Sequence, residues 1–502
     1  MVVVTLPRTL CLLGVLLVAR ALLSLTVRAH EPHVCPEDYP DTPALAGHVE
    51  QREIVSRLID FDEIVGIGRE WFVAVVNSCD GQGRPATTGA GNKRAPGQPA
   101  FIRTSAPDSN SCAGCHVQPR VGGGGDFVAN VFVLAQDRDP VTDRVSAEFS
   151  NERNTLGMFG SGAIEMLARE MTADLQDIRE AAIAAAAESG EVVTRSLDTK
   201  GVNFGSVTAL PDGTVDTSGV LGVDADLIIR PFHQAGVVVS LREFTVNAFN
   251  HHHGLLAEER FDLNLAKGFD SDYDEDGVHR ELTVGDITAV TLFQAALGTP
   301  GRVLPVLVDE QQVVDLGERL FAQVGCASCH VPSMTLESRN FVEPNPWNPA
   351  GTFSDTAQSY RFDLTAEGEL PRVEARTGGG AVVRAYTDLK RHNLCDEETG
   401  FYCNEQLAQG RPNQMGVPGQ KFFLTRKLWD VGSSAPYGHR GDLTTITDAI
   451  HYHGGEARMA RDTFLNLDVE GQAAIVAFLK TLRVLPPGCE ELIVEEDHVC
   501  LN

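Results

Sequence analysis

Two pentapeptides in this chain carry the same pattern of reactive residues. One is CAGCH, with Cys112, Cys115 and His116; the other is CASCH, with Cys326, Cys329 and His330. Three chemistries use such residues. Zinc takes thiolates and imidazoles but needs a fourth ligand at close spacing, and neither pentapeptide has another C-x-x-C nearby. A thioredoxin-like dithiol belongs in a βαβ context, which neither surrounding sequence offers. Attachment of a c-type haem requires this spacing: two thiols one helical turn apart add across the vinyl groups of one porphyrin, and the adjacent imidazole points at the iron. A lone motif arises by chance. Two in one chain point to two covalent haem c groups, with His116 and His330 as the proximal axial ligands.

Residues 1–29 read as a secretory signal, which bears on that choice. Arg8 supplies a positive start, Leu10 to Ala19 a short apolar run, and Val27-Arg28-Ala29 a small-residue exit before His30. Arg20 interrupts the run, so a spanning helix of about 20 apolar residues is poorly supported. The expectation is a periplasmic or otherwise exported protein, free of the membrane after cleavage. Removing Cys11 with the signal leaves six cysteines outside the motifs: Cys35, Cys79, Cys395, Cys403, Cys489 and Cys500. In an oxidising compartment they read as disulfides, with Cys395–Cys403 and Cys489–Cys500 as local staples. The 69 acidic and 41 basic residues give a net charge of −28, which argues against nucleic acid and anionic lipid as partners. It suits docking to a basic redox protein, a small cytochrome or a cupredoxin-like donor.

The elements that must position the motifs repeat loosely. VGIGREWF has Gly68 four residues before Phe72, and VDLGERLF has Gly317 four before Phe321. Both stretches read as helices in which the glycine lets a second helix cross closely. The partner expected for the second is AAIVAFLKTL, residues 473–482, whose Ile475, Phe478, Leu479 and Leu482 make an apolar face. These parts describe a C-terminal cytochrome c domain over 306–502. An N-terminal haem domain over 30–305 is less compact, with a Gly/Pro-rich loop before its motif and VGGGGDF after it, where the backbone could pass the porphyrin edge. GSGAIEMLAREM onward reads as a long helix, and 190–239 as a small β-rich insertion including the runs DLIIRPF and GVVVS. The expected fold is mainly α: two cytochrome c-type haem domains, a small β-containing insertion and long loops.

SLREFTVNAFNHHHG, residues 240–254, reads as a helix with a Ser240/Glu243 capping box, stopped by Gly254. Its histidines are a solvated cluster or a source of the sixth ligand of the first haem, for which His252 and His253 are the candidates. Asp272, Asp274, Asp276 and Gly277 occupy positions 1, 3, 5 and 6 of an EF-hand-like calcium loop. Thr283 then stands where a bidentate glutamate belongs, with Glu281 two residues early and Asp286 three late, so a solvated acidic turn is the competing reading.

The paired motifs, FNHHHGLLAEERF and LWDVGSSAPYGHRGDLTTITDAIHYHGGEA together resemble the di-haem oxidoreductase family, related to bacterial di-haem cytochrome c peroxidases and to MauG. The resemblance runs from about residue 60 to 485. It implies two facing haem domains exchanging electrons, an interdomain calcium, and peroxidase-like chemistry on hydrogen peroxide at an open iron. That chemistry needs an acid/base group above the iron, for which Glu165 in SGAIEMLARE is the candidate. The alternative is a pure electron carrier with both irons six-coordinate. Aligned on APYGHRG, the resemblance places His453 where the peroxidases hold a methionine and MauG a tyrosine, making it the sixth ligand of the second haem. Gly454 and Gly455 would then let the chain approach the porphyrin. His439 becomes a supporting residue rather than a ligand, Met334 lies too near His330 in sequence to reach the far face, and His451 or Met459 are the alternatives to His453.

Overall fold

The computed structural model describes residues 42–45, 47–82, 109–130, 152–261, 278–403, 421–498 and 500. The expected signal (1–29) and the candidate calcium residues Asp272, Asp274 and Asp276 lie outside them. Eight helices order the description: α1 (Phe61–Val73), α2 (Ser161–Ser189), α3 (Leu241–Ala248), α4 (Val284–Ala295), α5 (Val308–Gln323), α6 (Ile446–His451), α7 (Arg458–Leu465) and α8 (Val469–Thr481). Several begin on side-chain caps that satisfy their first N–H groups. Asp60 accepts from Glu63 N ahead of α1, Thr283 from Asp286 N ahead of α4, and Asp468 from Gly471 N ahead of α8. Among the described residues no helix is long and apolar enough to cross a membrane.

Two helix pairs form the framework behind the motifs. In α1, a Cβ on Gly68 would overlap the carbonyl oxygen of Ala289 in α4; in α5, one on Gly317 would overlap that of Ala474 in α8. The close crossings expected at both glycines are therefore present, the second against the expected helix. The aromatic residue one turn later fills the space beside each crossing. Phe72 packs on Phe293 with ring centroids 5.2 Å apart, and Phe321 packs on Phe478 at 5.5 Å.

The fold is mixed helix and sheet rather than mainly α. The insertion forms an antiparallel meander, Val193–Thr199, Val202–Ala209 and Val215–Asp216. Its expected later strands, DLIIRPF and GVVVS, are irregular apart from a single Phe232–Val238 bridge. Leu227 and His233 take positive φ there, and Ile229 N donates to Thr172 of α2 rather than to a neighbouring strand. Further short strands lie between the second motif and α6. Met334–Leu336 pairs with Ala381–Val383, Asn340–Glu343 with Tyr360–Asp363, and Arg391–Asn393 with Phe422–Leu424. Alternation is visible there in hindsight: Phe341 and Phe362 pair across the ladder and are both buried. Runs of three or four residues are too short for that period to stand out in sequence.

Gly301–Leu304, just before the expected domain boundary, pairs antiparallel with Leu482–Arg483 and parallel with Ile493–Glu495. The chain end thus folds back onto the start of the C-terminal half. The Cys395–Cys403 and Cys489–Cys500 disulfides are formed, as expected. Cys79 is disulfide-bonded too, its partner lying outside the described residues.

Candidate functional site

All four motif cysteines are free thiols. In the first motif Cys112–Gly114 makes a single 3-10 turn, closed by His116 N donating to Cys112 O at 2.9 Å. The ring Nδ1 of His116 lies 3.2 Å from Gly123 O, which fixes its orientation and leaves Nε2 for another partner. The glycine run serves the motif's own backbone: a Cβ on Gly123 would overlap Gln118 O, and one on Gly125 would overlap Cys115 O. The close backbone approach expected of this run is made at these two glycines to the motif itself.

A cleft enclosing about 1560 Å³, part of it open to solvent, adjoins the motif. Cys112, Cys115 and His116 line it on one side; Phe232, Leu241 and Phe244 are among its apolar lining. The three histidines at the end of α3 also line it, wound as a π-turn, Phe249–His253, and stopped by Gly254 at φ 70°. His253 bridges Ser109 O at 3.0 Å and Cys112 Sγ at 3.3 Å. Desolvation pushes the pKa of His116 down to about 4. The capping box ahead of α3 is half formed. Ser240 Oγ accepts from Glu243 N, but the Glu243 carboxylate reaches back to Val239 N instead of Ser240 N.

The second motif repeats the turn, with His330 N donating to Cys326 O at 3.0 Å. Here the Nδ1 acceptor is Tyr386 O, 3.1 Å away and 56 residues on in sequence. His453 follows the end of α6, its Nδ1 2.7 Å from Ala449 O, and its ring centroid lies 6.4 Å from that of His330. Both pKa values are lowered, chiefly by desolvation, His330 to about 4, so both rings are neutral near pH 7. Two imidazoles bound to one metal at about 2.0–2.1 Å each would set ring centroids about 6.3 Å apart, so the pair matches a bis-imidazole metal. The alternatives point elsewhere: His451 is exposed, Met459 is 81% exposed, and Met334 is buried in a strand. His439 is buried among aromatic rings, 5.2 Å from Tyr402 and 5.1 Å from Phe423.

These contacts bear on the three chemistries raised by the motifs. Desolvation pushes the Cys112 thiol up to about 12 and Cys326 to about 11, whereas a redox dithiol needs a lowered value. Cys329, Asp388 and His392 do gather within 4.8 Å, a grouping with the look of a metal site. Both nitrogens of His392 are engaged by carboxylates, Asp388 at 2.9 Å and Glu456 at 2.7 Å. Desolvation opposes its protonation, but hydrogen bonds to Asp388 and Cys329 carry it up to about 11. With both ring nitrogens hydrogen-bonded to carboxylates, His392 has no nitrogen left to offer a metal in this arrangement. The residues fit haem c: paired thiols, an oriented neutral imidazole beside each pair, and an apolar cleft.

Glu165 is fully buried in α2, and its oxygens accept from Leu241 N at 2.8 Å and Asn345 Nδ2 at 3.0 Å. Desolvation raises its pKa to about 7. It thus anchors the first residue of the helix that carries the histidines. Glu281 accepts from Leu256 N at 2.8 Å, and Asp286 caps α4, so these acids beside the expected calcium loop have structural duties.

Sequence reasoning missed the segment that links the two sites. Lys427 lines the cleft beside His116, and the backbone of the preceding Arg426 lies against His330. Two basic residues inside LTRKLWD, in so acidic a chain, were the available signal.

Residues 371–482 match the family described as "Di-haem oxidoreductase, putative peroxidase". This bears out the resemblance read from the sequence, over a stretch that holds His439 and His453 but neither pentapeptide. No curated protein matches. Among solved structures, the chain is similar to hydrazine synthase of Kuenenia stuttgartiensis pressurized with 20 bar xenon. The identity is 13%, the TM-score 0.33, and the match covers 90% of this chain and 100% of that one. It is also similar to a MauG-like protein associated with microbial copper homeostasis, at 15% identity and TM-score 0.23, over 55% of this chain and 76% of that one.

Proposed function

We propose that this chain is an exported di-haem c-type oxidoreductase of peroxidase-like kind, with haem domains over 30–305 and 306–502 that exchange electrons. Cys112 and Cys115 would hold one haem and Cys326 and Cys329 the other, with His116, His330 and His453 as axial ligands. Bound haem supplies an iron centre that gains and loses single electrons. The chain's own residues orient each imidazole through a backbone carbonyl and surround it with low-dielectric protein. The haem-binding part of the reading is carried by the pair His330 and His453, each with Nδ1 tied back to the main chain, and the peroxidase-like part by the family match of residues 371–482. Hydrogen peroxide is the proposed oxidant and a basic redox protein the proposed donor, consistent with the net charge of −28. Calcium in the loop of Asp272, Asp274 and Asp276 is a further proposal; a thermal-stability gain on adding calcium to chelator-treated protein would support it.

A second reading, a pure electron carrier with both irons six-coordinate, is favoured by His252 lining the same cleft as His116. The spectrum of the oxidised holoprotein separates the two. A high-spin component supports the peroxidase-like reading, and wholly low-spin iron supports the carrier. Colour lost entirely on acid–acetone extraction would overturn both, since neither haem would then be covalent.

A further inference from the structure

The loop closed by Cys395–Cys403 plays no part in the reading above, yet it grips the chain on both sides of His453. Asp396 in that loop is fully buried, and its carboxylate accepts from Glu398 N at 2.9 Å, from Arg458 Nη2 at 3.0 Å and from Arg461 Nη1. The two arginines belong to α7, which begins five residues after His453. Between them and the histidine, Gly454 lies flat on Asp396 and Gly455 on Asn393, so that a Cβ on either would overlap the loop. Asn393 N donates to Glu456 Oε1 at 2.9 Å. On the near side of His453, the Tyr452 ring stacks on Phe401 with centroids 4.2 Å apart. The two glycines therefore admit the close approach of the Asn393–Asp396 segment. His453 is the residue in the middle of the gripped stretch, and its ring faces His330.

We propose that Asp396, carried on the Cys395–Cys403 loop, is a positioning residue that sets the reach of His453 toward His330. The inference rests on the reading that His453 is the sixth ligand of the second haem. Asp396 is the one carboxylate that ties both arginines of α7 to the disulfide loop. Without it, the two arginines lose their shared partner and the segment from Gly454 to Arg461 loses its fixed distance from the loop. Reach, more than donor strength, then limits ligation, because the imidazole itself is unchanged.

The test uses oxidised holoprotein and compares wild type, Asp396→Ala, Asp396→Asn, Glu398→Gln and His453→Ala by their low-spin signal and by titration with imidazole. Asp396→Ala should lose low-spin signal at one haem as His453→Ala does, and added imidazole should restore it. Because an internal ligand that is on less often competes less, Asp396→Ala should bind imidazole about tenfold more tightly than wild type. Asp396→Asn should fall between, and Glu398→Gln, altering an exposed partner of Arg458, should match wild type. Wild-type signal and imidazole affinity in Asp396→Ala, with His453→Ala changed, would overturn the positioning role and leave the ligand intact. An unchanged His453→Ala would overturn the ligand reading and this proposal together. If Asp396→Ala does not fold, the Cys395→Ser/Cys403→Ser variant gives the same readout, and its retention of wild-type behaviour would overturn the proposal.

Discussion

Gly317 of α5 and Ala474 of α8 meet so closely that the glycine's missing side chain is what allows the crossing. Gly68 and Ala289 repeat the relationship behind the first motif, whereas Gly66, two residues earlier and on a different face of α1, has open space beside it. Substituting alanine therefore has opposite signs at neighbouring glycines. Gly68→Ala and Gly317→Ala should each destabilise by about 1–3 kcal/mol through overpacking. Gly66→Ala should be neutral or stabilise by up to about 1 kcal/mol through helix propensity. Chemical denaturation of the three variants checks this; equal effects at Gly66 and Gly68 would refute the crossing argument.

His453→Met should change the optical and near-infrared spectra of one haem from bis-histidine to His/Met type and raise its potential, since a thioether stabilises ferric iron less than imidazole does. His451→Ala, at an exposed position two residues away, should leave both unaltered. A methionine–iron charge-transfer band already present in wild type would remove His453 from the site.

The histidine cluster offers a sharper division. His253 is bound at both nitrogens, to Ser109 O and Cys112 Sγ, whereas His252 lines the cleft that His116 also lines. On the carrier reading, His252→Ala should convert the first haem from low to high spin and open it to added cyanide or peroxide; on the peroxidase-like reading that haem is high-spin already and the substitution leaves its spin state unchanged. His253→Ala should leave its spin state unchanged. Magnetic resonance of the ferric protein distinguishes them, and a spin change in His253→Ala alone would reverse the assignment.

His48 lies 2.7 Å from Asp286 Oδ2, and this hydrogen bond holds its pKa above the ordinary imidazole value. A group whose folded pKa is raised stabilises the fold fully below its unfolded value, about 6.5, and loses that contribution as pH climbs through the folded value. His48→Gln should therefore lower the melting temperature near pH 5.5 and have a smaller effect well above the folded pKa. A larger effect at high pH would show that packing on Trp71, rather than charge, is what His48 contributes.

The glycine crossings and two disulfides were legible because each depends on residues a few positions apart, or on a pattern that a helix repeats locally. Gly68 with Phe72 and Gly317 with Phe321 announce their helices without reference to the partner. What tertiary structure alone decided are the relationships between segments distant in sequence. Tyr386 O orients His330 from 56 residues away, Arg426 and Lys427 lie between the two sites, and Asp396 ties α7 to a loop more than 60 residues earlier. A backbone carbonyl carries no residue identity, and a buried acid on a turn looks in sequence like a solvated one. Gly454 and Gly455 show the same limit: the sequence alone implied that something passes close to them, and only the packed chain determined that it is the Asn393–Asp396 backbone, because close approach needs a missing Cβ whatever stands on the other side.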